Sequence, residues 1–208
     1  MRLIITSDTH GSHEPLDVPD GDVFIHAGDF TNMGELYEIA DFNEWLGDLP
    51  HPHKIVIAGN HDLLFEQDPS LAKLLLSSAT YLQDDLYVLN GISFYGSPWQ
   101  PEFNDWAFNL PRGAALRKKW AMIPDGVDVL ITHGPPFGIL DNTLVGAYSG
   151  CQDLLAAIDR VRPRLSVFGH IHEGYGQQRH SALGTTFINA SALGTTLGGL
   201  NPPFVVDL

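Results

Sequence analysis

Short apolar runs rich in β-branched and aromatic residues alternate along the chain with segments whose apolar positions recur at helical spacing. Arg2–Thr6, Asp22–Ala27, Lys54–Ala58, Val127–Thr132 and Leu165–Phe168 are apolar-dominated and bounded by polar residues or glycine, the pattern of strands buried on both faces. Between them, Gly34–Leu49 carries Leu36, Ile39, Ala40, Phe42 and Leu46 at helical spacing. Asp68 followed by Pro69 predicts an N-cap and a first-turn proline, with Leu71, Leu74 and Leu75 continuing that helix. In Gly150–Val161, Cys151, Leu154, Leu155, Ile158 and Val161 fall on one face. Val88–Phe94 predicts a hairpin, because Asn90-Gly91 supplies the two positive φ values of a type I′ turn. Thr185–Asn189 and Phe204–Val206 complete the strands. This alternation predicts an α/β layout with a largely buried sheet. With no repeat, low-complexity tract or linker, residues 1–208 are expected to form one domain.

Composition narrows the function classes. A chain of 208 residues buries roughly 70% of its unfolded surface and needs no disulfide to build a core. Hydrophobic content of 44% and charged content of 17% exclude a disordered tail protein. The 21 glycines and 14 prolines predict many tight turns. Cys151 is the single cysteine, so no intramolecular disulfide can form, and the cytoplasm is the default compartment. The apolar opening Leu3-Ile4-Ile5 is too short for a signal peptide or a membrane span, so no membrane role is expected. Twenty-five acidic against 11 basic residues give a net charge of −14, which opposes binding to long nucleic acids. Ten histidines are many for this length, and their positions matter more than their number.

Each of the first five strands is followed by residues that can carry chemistry. The first ends in Ser7-Asp8-Thr9-His10, the second in Ala27-Gly28-Asp29, and the third in Gly59-Asn60-His61-Asp62. The fourth ends in His133-Gly134-Pro135 and the fifth in Gly169-His170-Ile171-His172. In open α/β sheets ligands bind outside the carboxyl ends of the strands, so aligned strands would deliver these side chains to one crevice. Carboxylates, imidazoles and one amide make a nitrogen-and-oxygen donor set suited to Mn, Fe, Zn or Co. Asp8, His10, Asp29, Asn60, His133, His170 and His172 are more donors than one ion with an open position can use, which points to two ions sharing a carboxylate. His61 is the remaining imidazole, available to pass a proton or hydrogen bond to a departing oxygen. Taken singly, Asp-x-His and Gly-Asp are ordinary turn residues; five such motifs in order, each at a strand end, are not.

These motifs resemble the signature of the calcineurin-like metallophosphoesterases and span residues 8 to 172. Gly96–Pro101, Asn109–Gly113 and His133–Pro136 further resemble the small subgroup of metallophosphoesterase-domain-containing proteins known from animal brain and from bacteria. The resemblance implies a two-sheet β-sandwich flanked by helices, an α/β/β/α arrangement. It also implies that one metal ion is held by Asp8, His10, Asp29 and His172. A second would be held by Asn60, His133 and His170, with Asp29 bridging and with Asn60 and His61 as the catalytic pair. The cofactors it implies are two divalent or transition-metal ions, manganese first, with Fe, Zn, Co, Mg or Ni as alternatives.

The activity expected is hydrolysis of a small phosphodiester by metal-activated hydroxide, with 2′,3′- or 3′,5′-cyclic nucleotides as leading substrates. A phosphomonoesterase, or a weakly active scaffold that keeps the fold, are the alternatives. A metallo-β-lactamase-type site would need His-x-His-x-Asp-His, whereas His170-Ile171-His172 continues into Glu173-Gly174. Trp99, Phe103, Trp106 and Phe108 occupy a polar segment and have two readings: core anchors of a long loop, or faces for a nucleobase. His26, inside a strand, reads as a core residue or a support for a ligand, while His13, His51, His53 and His180 read as solvated loop residues, His13 lying near enough to the first motif to touch substrate. Cys151 reads as a small core residue. The glycine-rich stretch 194–199 is flexible by composition and carries no functional reading.

Overall fold

A computed structural model describes residues 1–194 and 199–208, so most of the stretch read as flexible lies outside the described residues. The chain runs β1 (Arg2–Thr6), β2 (Val23–His26), α1 (Leu36–Asp48), β3 (His53–Val56), α2 (Leu64–Gln67), α3 (Pro69–Leu75) and β4 (Thr80–Tyr81). It continues through β5 (Asp85–Leu89), β6 (Ile92–Ser97), β7 (Gln100–Pro101), β8 (Asn109–Leu110), α4 (Ala114–Trp120) and β9 (Val129–Thr132). It closes with α5 (Gln152–Val161), β10 (Leu165–Phe168), β11 (Gly176–His180), β12 (Thr185–Asn189) and β13 (Phe204–Asp207).

The strands form two main sheets rather than one, and β7 and β8 pair separately as a short parallel ribbon. The first has the order β13-β1-β2-β3-β4, parallel except for β13. The second has the order β11-β12-β10-β9-β6-β5, with the four inner strands parallel and both edges antiparallel. Strand parity builds the layers. Leu3, Ile5, Val23, Ile25 and Ile55 of the first sheet share a core with Phe94, Val129, Ile131, Leu165, Val167 and Ile188 of the second. The alternate positions Ile4, Phe24 and Val56 pack with Ile39, Phe42 and Leu46 of α1. On the far side, Tyr95, Leu130 and Phe168 pack with Leu116 and Trp120 of α4 and Leu154 and Ile158 of α5. The result is helix, sheet, sheet, helix, with strands buried on both faces as their apolar runs require.

The local signals hold where they were specific. Asn90 and Gly91 take φ of 51° and 81°, the left-handed pair that lets β5 and β6 pair as a hairpin. Asp68 accepts a hydrogen bond from Leu71 N at the start of α3, with Pro69 in the first turn. Leu36, Leu71 and Leu74 instead face outward, so the apolar stripes of α1 and α3 are narrower than their sequence suggests. Cys151 is buried before α5, and its sulfur accepts from Leu154 N.

Two histidines read as solvated are buried. His13 packs on Phe42 and Trp45 and lies 3.2 Å from Asp41, and His51 sits against Phe24 and donates to the Pro19 carbonyl at 3.0 Å. Aromatic neighbours on α1 and β2 bury them, which polarity alone could not foretell. His26 is buried as expected, hydrogen-bonded to Thr9 Oγ1 at 3.1 Å between Phe30 and Phe42. Burial pushes its imidazole down from 6.5 to about 3. The unfolded chain therefore takes up a proton that the fold refuses, so this group's stability is intact above about pH 6.5 and declines as pH falls. The loss approaches about 1.4 kcal/mol per pH unit. Urea midpoints of the metal-free protein are expected to fall between pH 7.5 and pH 5, less steeply in His26→Gln. An unchanged slope in that variant would contradict this assignment.

Candidate metal centre

The loops after β1, β2 and β3 are laced together before any ligand binds. Asp8 N donates to Gly28 O at 2.9 Å and His10 N to Asp29 O at 3.0 Å. Asp62, fully buried, accepts from the backbone N–H groups of Asp29, Thr31 and Gly59 and from the Thr31 hydroxyl, at 2.7–3.0 Å. Burial and the nearby Asp29 charge push its carboxyl up to about 7, against these four donors. In the second sheet Gly169 N donates to His133 O at 2.9 Å, tying the loops after β9 and β10 together. That sheet joins the first through His170 N to the Asp8 carboxylate and His133 Nδ1 to the Ala27 carbonyl, both at 3.0 Å. Thus β1, β2 and β3 of one sheet and β9 and β10 of the other open onto a single site.

Asp8, His10 and His172 form one group of donor atoms within 4.8 Å of one another, and Asp29, His133 and His170 form another. Asn60 Oδ1 lies 3.0 Å from His133 Nε2. A third group joins His10 and Asp29 to His61. All eight residues singled out in the sequence therefore converge. Asp29 lies between the groups, its Oδ2 standing 3.3 Å from His133 Nε2 and 3.7 Å from His10 Nε2.

The backbone is bent to achieve this. Asp8, His10, Asp29 and His170 all take left-handed φ between 44° and 67°, a conformation that non-glycine residues adopt at a cost and that concentrates at functional sites. Two glycines leave the space. A Cβ on Gly169 would stand 1.9 Å from Asp8 Oδ2, and one on Gly59 would stand 2.3 Å from Asp29 Oδ1.

Charges at the site are mutually compensated. His133 Nδ1 donates to the Ala27 carbonyl, which can only accept, so Nε2 is the atom facing Asp29 and Asn60. Burial opposes the charged form of His133, but Asp29 outweighs it and raises the imidazole to about 9. Burial likewise opposes the Asp29 carboxylate, but the His133 charge holds it down to about 2. Asp8 is held below the usual carboxylate range despite its burial by its hydrogen bond to His172 and by the surrounding imidazoles. His170 is lowered to about 4 by burial and by the His133 charge.

The residues fit a metal. Two carboxylates, four imidazoles and an amide oxygen form an N/O donor set, and the buried Nε2 of His10 has no hydrogen-bond partner. His61 stands at the edge, its Nδ1 donating to the Asn32 carbonyl at 2.7 Å. Its ring lies 4.6 Å from His10 and 4.0 Å from Trp106.

The aromatic segment divides between its two readings. Phe108 is fully buried, and Trp99 packs against it with Nε1 donating to Asp84, so these two are anchors. Phe103 is 54% exposed and edges His170 at 6.0 Å, and Trp106 covers His61, so these two belong to the site. The sequence alone offers no role for Asp62, for Ser191, whose hydroxyl donates to Asp8 Oδ2 at 3.0 Å, or for Trp106 beyond the loop as a whole. Asp62 at least lay inside a motif; Ser191 is 183 residues from Asp8 and left no local signal.

A two-sheet sandwich thus gathers these donors at the carboxyl ends of its parallel strands as a candidate metal-binding site. Residues 1–174 match the family model described as calcineurin-like phosphoesterase. Metallophosphoesterase domain-containing protein 1 of Homo sapiens is 49% identical over 232 residues, covering all of this chain and 71% of that protein. Among solved structures, TT1561 of Thermus thermophilus superposes with a TM-score of 0.62 at 14% identity, over 90% of this chain and 88% of that one. A 5′-nucleotidase precursor from the same organism gives 0.50 at 17% identity, over 99% of this chain and 53% of that one; at such identities both share the fold. The chain belongs to the calcineurin-like phosphoesterase family, whose members bind divalent metals and hydrolyse phosphoesters. Among the described residues no helix is long and apolar enough to cross a membrane.

Proposed function

We propose that this protein is a dinuclear-metal phosphodiesterase acting on small phosphodiesters, with cyclic nucleotides as the leading substrates. The observation that carries the reading is the Asp29 carboxylate, one oxygen of which faces imidazoles of both donor groups. Asp8, His10, Asp29 and His172 would hold one ion, and Asn60, His133 and His170 a second, with Asp29 shared. The donor set suits Mn, Fe, Zn or Co, manganese first, with Mg and Ni as the alternatives that the family resemblance adds. When bound, such ions make hydroxide available near neutral pH and offset the charge on phosphoryl oxygens.

The chain's own part is orientation and proton handling. Hydrogen bonds from His170 N and Ser191 fix Asp8, and the hydrogen bond from His61 N to Asp29 Oδ1, at 2.7 Å, fixes the shared carboxylate. With its Nδ1–H held by Asn32, His61 has Nε2 as the atom at which a proton can pass to the departing oxygen. Phe103 borders a cavity of about 450 Å³ beside His170, lined also by Pro101, Pro135 and Arg112. Its volume suits a small ligand, and the exposed ring offers a face for a base. The net charge of −14 opposes long nucleic acids, and the lone cysteine fits a cytoplasmic setting.

Metal-free protein reconstituted with Mn²⁺ is expected to cleave bis-p-nitrophenyl phosphate in preference to p-nitrophenyl phosphate, and to open 2′,3′- or 3′,5′-cyclic nucleotides. Preference for the monoester would make the protein a phosphatase instead. Bound metal without turnover of any phosphoester would make it a scaffold. His61→Ala is expected to keep its metal content while the rate falls by about 10²–10⁴-fold. Metal loss in that variant, read by elemental analysis, would make His61 a ligand.

A further inference from the structure

We infer that Trp106 is a positioning residue that fixes the ring of His61 toward the reacting phosphoester; this rests on the phosphodiesterase reading above. His61 is held on three sides. The Trp106 ring covers one face at 4.0 Å with a 32° tilt, the His10 ring meets it edge-on at 4.6 Å, and Nδ1 donates to the Asn32 carbonyl at 2.7 Å. A ring flip would surrender the Asn32 hydrogen bond and present Nδ1 to the site.

The support behind each contact is itself fixed. Asn32 is tied to the first motif by Nδ2 donating to the His10 carbonyl, and its N–H donates to Glu38 of α1. Trp106 stands in the segment between β7 and β8, whose next residue, Ala107, donates its N–H to the carbonyl of Asn60 at 3.1 Å. Phe108 then takes a left-handed φ of 57° while fully buried. A bulky residue holds that conformation only where its surroundings demand it. The Asn109 side chain bonds the backbone of Phe103 and Asn104, closing the segment on itself. Trp106 is therefore carried by a braced loop, hydrogen-bonded to the loop that bears His61 and with one face against that imidazole. Its role is to hold a protein side chain rather than to receive a base.

Trp106→Ala and Trp106→Phe in the metal-loaded protein test this, with Trp106→Phe as the conservative rescue. On a ribonucleoside 2′,3′-cyclic phosphate, whose alkoxide leaving group needs a proton, Trp106→Ala is expected to lower kcat by about tenfold to a hundredfold, the scale of a misplaced catalytic group. Metal content and KM should stay close to wild type, and Trp106→Phe should recover most of the loss. On bis-p-nitrophenyl phosphate, whose leaving group departs without a proton, the loss should be much smaller. Independently of turnover, NMR of the metal-free protein should show the His61 ring protons shifted upfield by the indole, and a single Nδ1–H tautomer. Both features should vanish in Trp106→Ala. A raised KM with unchanged kcat, equal losses on both substrates, or unshifted His61 signals in the wild type would each overturn the assignment. If the wild type turns over neither substrate, the phosphodiesterase reading fails by itself, and the NMR comparison still decides whether Trp106 holds His61.

Discussion

Gly169→Ala is expected to empty the Asp8 side of the metal centre while leaving the fold in place. The added Cβ would stand 1.9 Å from Asp8 Oδ2 and 2.3 Å from Ser7 Oγ, contacts no side chain tolerates. Asp8 is fully buried and pinned by His170 N and Ser191, so its carboxylate has no free direction in which to yield. Overpacking of this kind costs about 1–3 kcal/mol, roughly 2–12 °C of melting temperature for a chain of this size. The metal affinity of the Asp8, His10 and His172 group should fall by at least about a hundredfold, the upper scale for disturbing the support of a ligand. Gly134→Ala supplies the control. Its nearest neighbour would be Gln100 Cβ at 3.6 Å, an ordinary contact, so metal content and turnover should stay near wild type. Elemental analysis of the two variants separates a specific loss of the site from a general intolerance of side chains in these loops.

Asp29→Asn carries the other large effect. The amide keeps the shape and can still accept the hydrogen bond from His61 N, but it removes the one carboxylate facing both donor groups. Paired metal binding should fail, and turnover should drop by about a thousandfold or more, as when a preorganised charge-stabilising group is removed. The metal-free protein should change as well, because Asp29 is the charge that raises His133 to about 9. A raised imidazole stabilises the fold fully below its ordinary value near 6.5 and loses that contribution as pH rises through 9. The depressed Asp29, near 2, contributes above its ordinary 3.8 and loses that contribution as pH falls through 2. Between about pH 4 and pH 6.5 both contributions are present in full, so the urea midpoint of metal-free Asp29→Asn should fall furthest below wild type in that window. Equal midpoints there would show that the His133–Asp29 pair adds nothing to the fold.

The site was more legible than the fold that presents it. The strands β1, β2, β3, β9 and β10 are each followed by a glycine, a histidine or a carboxylate, and the donor chemistry followed from residue type. The division into two sheets came from the family resemblance, because β2, β9 and β10 are buried at every position. A strand buried on both faces gives no alternation from which to read its partner sheet. The edge strand β11, Gly-Gln-Gln-Arg-His, is largely polar and was not recognised. The helix α4 was missed because its seven residues bury only Leu116 and Trp120 beside three basic side chains. Within the site, what escaped was the bracing. Asp62, Ser191 and Trp106 act on partners far away in sequence or across a loop, and His13 and His51 are buried by aromatic packing that no local pattern encodes.

The proposed hydrolysis requires two ions sharing Asp29. Chelated protein titrated with Mn²⁺, with bound metal and bis-p-nitrophenyl phosphate cleavage followed together, decides it. The expected result is no turnover without metal and a rate that rises until two ions are bound per chain. Turnover that survives chelation, or two bound ions with no cleavage of any phosphoester, would contradict it.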